Sequence, residues 1–116
     1  MTTQPALPFG DQLDNLIREN LDVFLPGFDL WLRDNRHIWT AFEREANRAW
    51  ARGRRTYSAR TIIEYLRHET ALADTGADWK INGNNVPDLA RLYRLRHPDR
   101  AGLFETRRLA GSERAA

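Results

Sequence analysis

Along most of this chain, apolar residues recur at every third or fourth position, which is the spacing of one face of an α-helix. Short stretches rich in proline, glycine or asparagine separate the segments that have this spacing, and residues 28–32 form a short turn between the first two. The segments are, in chain order, 11–25, 34–53, 58–73 and 87–97, followed by a last helical turn or two within 99–109. This pattern predicts an all-α fold, a compact bundle of about five helices.

The ends of the predicted helices carry residues that favour capping. Asp34 or Asn35 can cap the second helix and Gly53 can close it, while Ser58 is a favourable N-cap for the third. Pro98 prevents the fourth helix from continuing. The apolar side of the first helix is predicted to carry Leu13, Ile17, Leu21 and Phe24. The other predicted core positions are Trp39, Phe42, Ala46, Ala49 and Trp50, then Ile62, Tyr65, Leu66 and Ala73, and finally Leu89, Leu92, Tyr93, Leu103 and Phe104.

Residues 78–82 interrupt the helical period, because apolar and polar residues alternate there as they do in a strand. Asn82-Gly83 is a common hairpin turn pair, yet no second convincing strand flanks it. The sequence therefore predicts one short β-like segment within a helical protein. A length of 116 residues suits one domain, which we place at 10–109 with flexible ends at 1–9 and 110–116.

The composition limits the cellular location and the kinds of chemistry that we expect for this chain. The chain contains no cysteine, so disulfides, thiolate metal sites and a cysteine nucleophile are excluded. The start, MTTQPALPFG, lacks the basic-then-apolar order of a signal peptide, and no apolar run approaches the roughly 18 residues of a membrane span. We expect a cytoplasmic protein that binds no membrane and needs no cofactor.

Charge is distributed unevenly along the chain. Residues 1–50 hold five arginines and eight acids, whereas residues 51–116 hold thirteen basic and eight acidic residues. Five arginines lie at positions 48, 52, 54, 55 and 60, and no acid stands between Glu45 and Glu64. Such a segment suits phosphate contacts, because guanidinium groups and the N–H groups at a helix start both attract anions. The same arginines could instead complement the macrodipole at the end of the second helix.

The fourth helix presents a second basic feature. At 100° per residue, Arg91 and Arg94 point away from its apolar side, toward a partner. Arg96 falls back on the apolar side, where we expect it to pair with a carboxylate or to extend its alkyl chain over apolar surface. Asn84 and Asn85 at the helix entrance can cap the backbone or, in a major groove, bind an adenine edge.

Two pairs of helices suggest a helix-turn-helix arrangement. In one pair, about fourteen residues separate the third helix from Pro87, which is far more than the 3 to 4 residues of that motif. The other pair consists of the helix that ends at Gly53 and the helix that starts at Ser58. The helix from Ser58 would then be inserted, with Arg60 and Arg67 as its outward residues. The sequence leaves both pairs open.

Enzymatic chemistry finds little support in the sequence. Glu64, Asp78 and Lys80 have the acid, then acid-x-lysine order of a family of metal-dependent nucleases, but that family carries the last two on a sheet that this chain does not supply. The histidines are scattered and do not form a zinc motif. We therefore predict a protein that is not an enzyme and binds no metal, with the nuclease as a remote alternative.

A resemblance adds a biological setting. The segments FDLWLRDNRHIWTAFEREANRAWARGRRTYSARTIIEYLR, DWKINGNN and LARLYRLRHPDRAGLFETRRL, within residues 28–109, resemble a family of small phage- and prophage-encoded proteins of unassigned function. The resemblance implies a mobile-element setting, where small helical proteins commonly regulate transcription or block a host enzyme. It assigns no functional residue.

The sequence favours a nucleic-acid-binding protein that is helix-turn-helix-like, with DNA as the expected partner. Its alternative is a phage protein that binds and inhibits or redirects a host protein through aromatic and arginine residues, which are enriched at interface hot spots. A homodimer is compatible with either. The predicted nucleic-acid contacts are Arg48, Arg52, Arg54, Arg55, Arg60, Arg67, Lys80, Asn84, Asn85, Arg91 and Arg94.

Overall fold

The protein is an all-α bundle, as the spacing of apolar residues predicts. The computed structural model describes residues 8–73, 81 and 83–104. The helices are α1 (Pro8–Arg18), α2 (Phe28–Asp34), α3 (Arg36–Ala51), α4 (Ala59–Ala73) and α5 (Asn85–Arg96), and single 3₁₀ turns span Leu21–Val23 and Pro98–Arg100. The predicted β-like segment at 78–82 lies outside the described residues except for Ile81, which is buried. The predicted flexible ends also lie outside them, apart from the start of α1.

The first third of the chain departs from the predicted boundaries. The helix predicted over 11–25 ends at Arg18, where the side-chain amide of Asn20 donates a hydrogen bond to the Leu16 carbonyl at 2.8 Å. Leu21, predicted on its apolar side, is therefore exposed in the following 3₁₀ turn. The predicted turn at 28–32 is wrong, because those residues belong to α2. Phe28 and Leu32 are both buried and lie four positions apart, so one helical turn places both against the core. A segment this short gives too few repeats for its period to be read from the sequence.

Helix α3 ends as its glycine predicts. Gly53 has a positive φ of 91°, the left-handed conformation that favours glycine. The N–H of Gly53 donates to the Trp50 carbonyl and the N–H of Arg54 to the Ala49 carbonyl, both at 3.0 Å. These two bonds form a Schellman motif, which satisfies the last carbonyls of α3 and turns the chain toward α4.

Helix α5 is the central helix of the bundle and packs against α1, α3 and α4. Leu89, Leu92 and Tyr93 are fully buried, which confirms the predicted apolar side. The opposite side is covered as well, since Asp88 and Arg91 are also buried. The predicted outward position of Arg91 is therefore wrong. A helical wheel drawn at 100° per residue assumes that one face of the helix meets solvent. A helix that is packed on several sides has no such face.

A buried ion pair compensates for the charge in this helix. Arg91 Nη1 donates to Asp88 Oδ1 at 2.7 Å, and the side chains are only 8% and 1% exposed. The backbone N–H of Leu25 also donates to the Asp88 carboxylate, at 3.3 Å to Oδ2. Burial nevertheless raises the pKa of Asp88 above its usual value, against the lowering effects of Arg91 and of the Leu25 N–H.

The raised pKa of Asp88 predicts a pH dependence of stability. The folded state holds the Asp88 proton more tightly than the unfolded state does, so this carboxyl stabilises the fold below its unfolded pKa of about 3.9 and loses that contribution as pH rises through its folded pKa. We expect the free energy of unfolding of the wild type, minus that of Asp88→Asn, to decrease as pH rises above about 4. Urea titrations of both proteins from about pH 3.5 to 6 measure this difference. A difference that increases with pH would show that Arg91 outweighs burial.

Candidate nucleic-acid interface

A cleft of about 370 Å³ lies where α3 ends and α4 begins. Its α3 side carries Arg48 and Arg52, and Arg54 follows from the turn after Gly53. The α4 side carries Tyr57, Thr61 and Tyr65, which lie four positions apart along the chain. Ala49 and Ile62 complete the lining, together with Glu45. The structure thus brings three of the predicted phosphate contacts into one cleft.

The α4 wall of this cleft is fixed to the rest of the fold. The backbone N–H of Tyr57 donates to the Leu103 carbonyl at 2.7 Å, and Tyr57 forms a parallel β-bridge with Phe104. The guanidinium carbon of Arg54 lies 5.9 Å from the centroid of the Tyr57 ring, within cation–π range. Ser58 Oγ accepts a hydrogen bond from the N–H of Thr61 at 3.1 Å, which confirms Ser58 as the predicted cap.

Tyr65 lies on the cleft side of α4 and not in the core, so its predicted core position is wrong. The core side of α4 consists of Ile62, Ile63 and Leu66, whereas Tyr65 is 45% exposed. The Tyr65 hydroxyl donates to Glu69 Oε2 at 2.9 Å, and this hydrogen bond and the Glu69 charge raise the pKa of Tyr65. The aromatic ring is accordingly held by its hydroxyl while much of its surface meets solvent.

The cleft is positive overall, although one acid contributes to it. Glu45 accepts hydrogen bonds from Arg48 at 3.1 Å and from Arg44 at 3.1 Å, so it partly neutralises Arg48. Among the residues that the structure describes, Arg52 has no carboxylate within 4.0 Å, and neither has Arg60. Three arginines and one glutamate line the cleft. That excess of positive charge attracts anions.

Two other arginines of the basic segment lie beside this cleft. Arg55 stacks on Trp50, with its guanidinium carbon 3.9 Å from the ring centroid, and donates to the Trp50 and Arg54 carbonyls. Its side chain therefore holds the turn after α3, and its contribution to binding stays a prediction. Arg60 is exposed and lines a separate open cleft of about 980 Å³, between the starts of α4 and α5, together with the buried Arg91.

The remaining predicted nucleic-acid contacts are dispersed. Arg67 Nη2 donates to the Ile81 carbonyl at 2.6 Å, which holds the segment before α5 against α4. Asn84 and Arg94 are exposed, whereas Asn85 is buried and cannot reach a base edge. Asn84 occupies the N-cap position of α5 without forming a side-chain capping bond. Lys80 lies outside the described residues. The structure therefore does not join these side chains into one surface.

A polar cluster at the C-terminal end of α5 has a structural role. Glu43 Oε2 accepts from Arg96 Nε at 2.7 Å and lies 2.8 Å from His97 Nε2, which confirms the predicted carboxylate partner of Arg96. Nearby, the Tyr93 hydroxyl donates to Asn47 Oδ1 at 2.8 Å, and Arg100 donates to the same oxygen at 3.0 Å. These bonds tie α3 to α5 and the following turn.

The described part of the chain contains no cluster of metal ligands that would support a metal site or the nuclease alternative. Glu64 is exposed on α4, while Asp78 and Lys80 lie outside the described residues. Across 8–73, 81 and 83–104, no three histidine or acidic side chains lie together where they could hold a metal ion. In those same ranges, no helix combines the length and the apolar character needed to cross a lipid bilayer.

The geometry of α3 and α4 differs from that of a helix-turn-helix motif. Helices α3 and α4 are joined by residues 52–58, a connection of seven residues, which is longer than the 3 to 4 residues of that motif. The exposed side of α4 also carries Glu64 and Glu69, whose charge would oppose phosphates if the whole helix entered a groove. Comparison of the chain with protein-family models, with curated proteins and with solved structures finds no match in any of the three.

Proposed function

We propose that this chain is a non-enzymatic nucleic-acid-binding protein of phage or other mobile-element origin, which holds backbone phosphates in the cleft between α3 and α4. The observation that carries this proposal is the wall of Arg48, Arg52 and Arg54 in a cleft with a single acid. Arginine suits phosphate well, because its planar guanidinium can donate two parallel hydrogen bonds to one phosphate group.

Binding through the corner between α3 and α4 agrees better with the charges than insertion of α4 along its length. The N-terminal end of α4 and the turn before it carry Arg54, Arg55 and Arg60, whereas Glu64 and Glu69 follow further along the helix. A nucleic acid that contacts the corner meets these arginines first, while Glu45 lies within the cleft and Glu69 lies beside Tyr65. Of the helix-turn-helix-like arrangement, the proposal therefore keeps only binding at the corner between α3 and α4.

The first test removes positive charge from the cleft. We expect Arg52→Ala combined with Arg54→Ala to weaken binding to all nucleic-acid sequences similarly, and to reduce the slope of log K against log salt by about 0.9 for each duplex phosphate that the variant no longer neutralises. Fluorescence anisotropy at several salt concentrations, with a random-sequence oligonucleotide as duplex and as separated strand, measures both quantities. Because both side chains are exposed, the thermal midpoint should hardly change.

A matched control carries the same change of charge elsewhere. Arg18 and Arg33 are exposed on α1 and α2, outside the cleft, so Arg18→Ala with Arg33→Ala should bind much as the wild type does. If both double variants weaken binding equally, net charge and not the cleft is responsible. If the wild type binds neither duplex nor single strand at low salt, the proposed function is wrong.

The competing function is binding to a host protein by the same cleft. Tyrosine and arginine, which line it, are also the residue types that dominate interface hot spots. The two double variants therefore also belong in a pull-down from host lysate. A stoichiometric protein partner that disappears only with Arg52→Ala and Arg54→Ala, together with no binding to nucleic acid, would replace the proposal with this one.

A further inference from the structure

We infer that the cleft between α3 and α4 is built for a single-stranded nucleic acid, whose unpaired bases stack on Tyr57 and Tyr65. This inference rests on the proposed function and specifies its substrate class. It begins with the two tyrosines, which the sequence patterns do not identify as functional. They are eight positions apart, with Thr61 midway between them, and all three line the cleft.

The two walls of the cleft differ in chemistry. The α3 wall and the turn after it supply the arginines, and the α4 wall supplies the aromatic rings. A single strand has the same division, with charged phosphates along one side and flat bases along the other. Proteins that bind single strands combine a positive groove with aromatic side chains on which successive bases stack. The arrangement of the cleft is complementary to that division.

A duplex would leave the tyrosines unused. Its bases already stack on each other and present only their edges in the grooves, so an exposed ring has no base face to cover. Tyr57 and Tyr65 are nevertheless 36% and 45% exposed. The Tyr65 ring is held by its hydroxyl bond to Glu69, whereas at Tyr57 the backbone is fixed by its bond to Leu103 and the ring lies within cation–π range of Arg54. Held rings stack with a smaller decrease in conformational entropy than mobile ones.

The test compares three labelled probes of the same length: a mixed-sequence single strand, its duplex, and an abasic strand that has phosphates but no bases. We expect the wild type to bind the single strand more tightly than the other two. Tyr65→Ala and Tyr57→Ala should each weaken single-strand binding about 5- to 150-fold, which corresponds to 1–3 kcal/mol for each stacked base. Neither change should affect binding to the abasic strand.

Tyr65→Phe is the matched control, because it keeps the ring and removes only the hydroxyl that bonds Glu69. It should bind the single strand within a few-fold of the wild type. Equal binding to all three probes, or tyrosine variants that bind like the wild type, would overturn stacking and leave phosphate binding in the cleft intact. A wild type that binds none of the probes would refute the proposed function itself.

Discussion

Asp88→Ala should lower the free energy of unfolding by about 3–5 kcal/mol, the usual cost of removing one partner from a buried ion pair. The guanidinium of Arg91 would stay buried without the carboxylate that lies 2.7 Å away. The N–H of Leu25 would be deprived of its side-chain acceptor in the same step, which removes a link between α5 and the segment before α2. Urea unfolding followed by circular dichroism measures the change.

Two controls separate the pair from its individual groups. Asp88→Asn keeps an oxygen that can accept from Leu25 and removes the charge, so it should cost less than Asp88→Ala. Replacing both partners, with Asp88→Leu and Arg91→Met, should recover much of the stability, because a well-packed apolar pair is often as stable as a buried ion pair. If Asp88→Ala costs less than about 1 kcal/mol, the pair contributes little and its burial needs another explanation.

The helices are predictable from the sequence where their apolar residues repeat several times. The end of α3 and the start of α4 can be recognised, because Gly53 and Ser58 carry chemistry that is local to the chain. The predicted N-cap of α3 is not confirmed, since Asn35 occupies that position without a side-chain capping bond. The same reasoning fails for α2, which is seven residues long and offers barely two turns of pattern. Local signals in the sequence predict where a helix lies. How many sides of that helix are covered by other helices depends on the whole fold.

That limit explains the errors in placing the side chains of Arg91 and Tyr65. The pattern predicts Arg91 in solvent, yet it is buried, because α5 is packed on several sides and Asp88 stands three positions earlier to pair with it. The pattern predicts Tyr65 in the core, yet it is exposed, because Ile63 takes the place next to Ile62 and Leu66. An acid and an arginine at i and i+3 in a helix of apolar residues is a signal that could have indicated the buried pair.

The arginines of the cleft are predictable and its tyrosines are not. Arg48, Arg52 and Arg54 stand in a stretch without acids, which the sequence shows directly. Tyr57 and Tyr65 become part of the same cleft only after the chain turns at Gly53 and α4 packs beside α3. Tyr57 precedes α4 and Tyr65 lies within it, so helical spacing alone does not place both on one side. Which side is exposed depends on the packing.

Phe42→Ala should lower the free energy of unfolding by about 3–5 kcal/mol, the range for removing a buried phenyl ring. Phe42 is fully buried at the centre of an aromatic cluster, with its ring centroid 6.2 Å from that of Trp39 and 5.3 Å from that of Phe104. The ring of Phe104 in turn lies 5.5 Å from Tyr93 of α5. The cavity would open where α3, α5 and residues 101–104 meet.

This change should also reach the cleft, because Phe104 adjoins Leu103, whose carbonyl holds the N–H of Tyr57. We expect Phe42→Ala to weaken single-strand binding at temperatures where the protein remains folded, and to speed hydrogen exchange at the Tyr57 amide. Phe42→Leu refills much of the cavity and should cost less stability, whereas the exposed Tyr65→Ala should change stability by no more than about 0.5 kcal/mol. A Phe42→Ala protein with wild-type stability would place the centre of the core elsewhere. Reduced stability with unchanged exchange at Tyr57 would show that the bridge to Leu103 is held independently of the aromatic cluster.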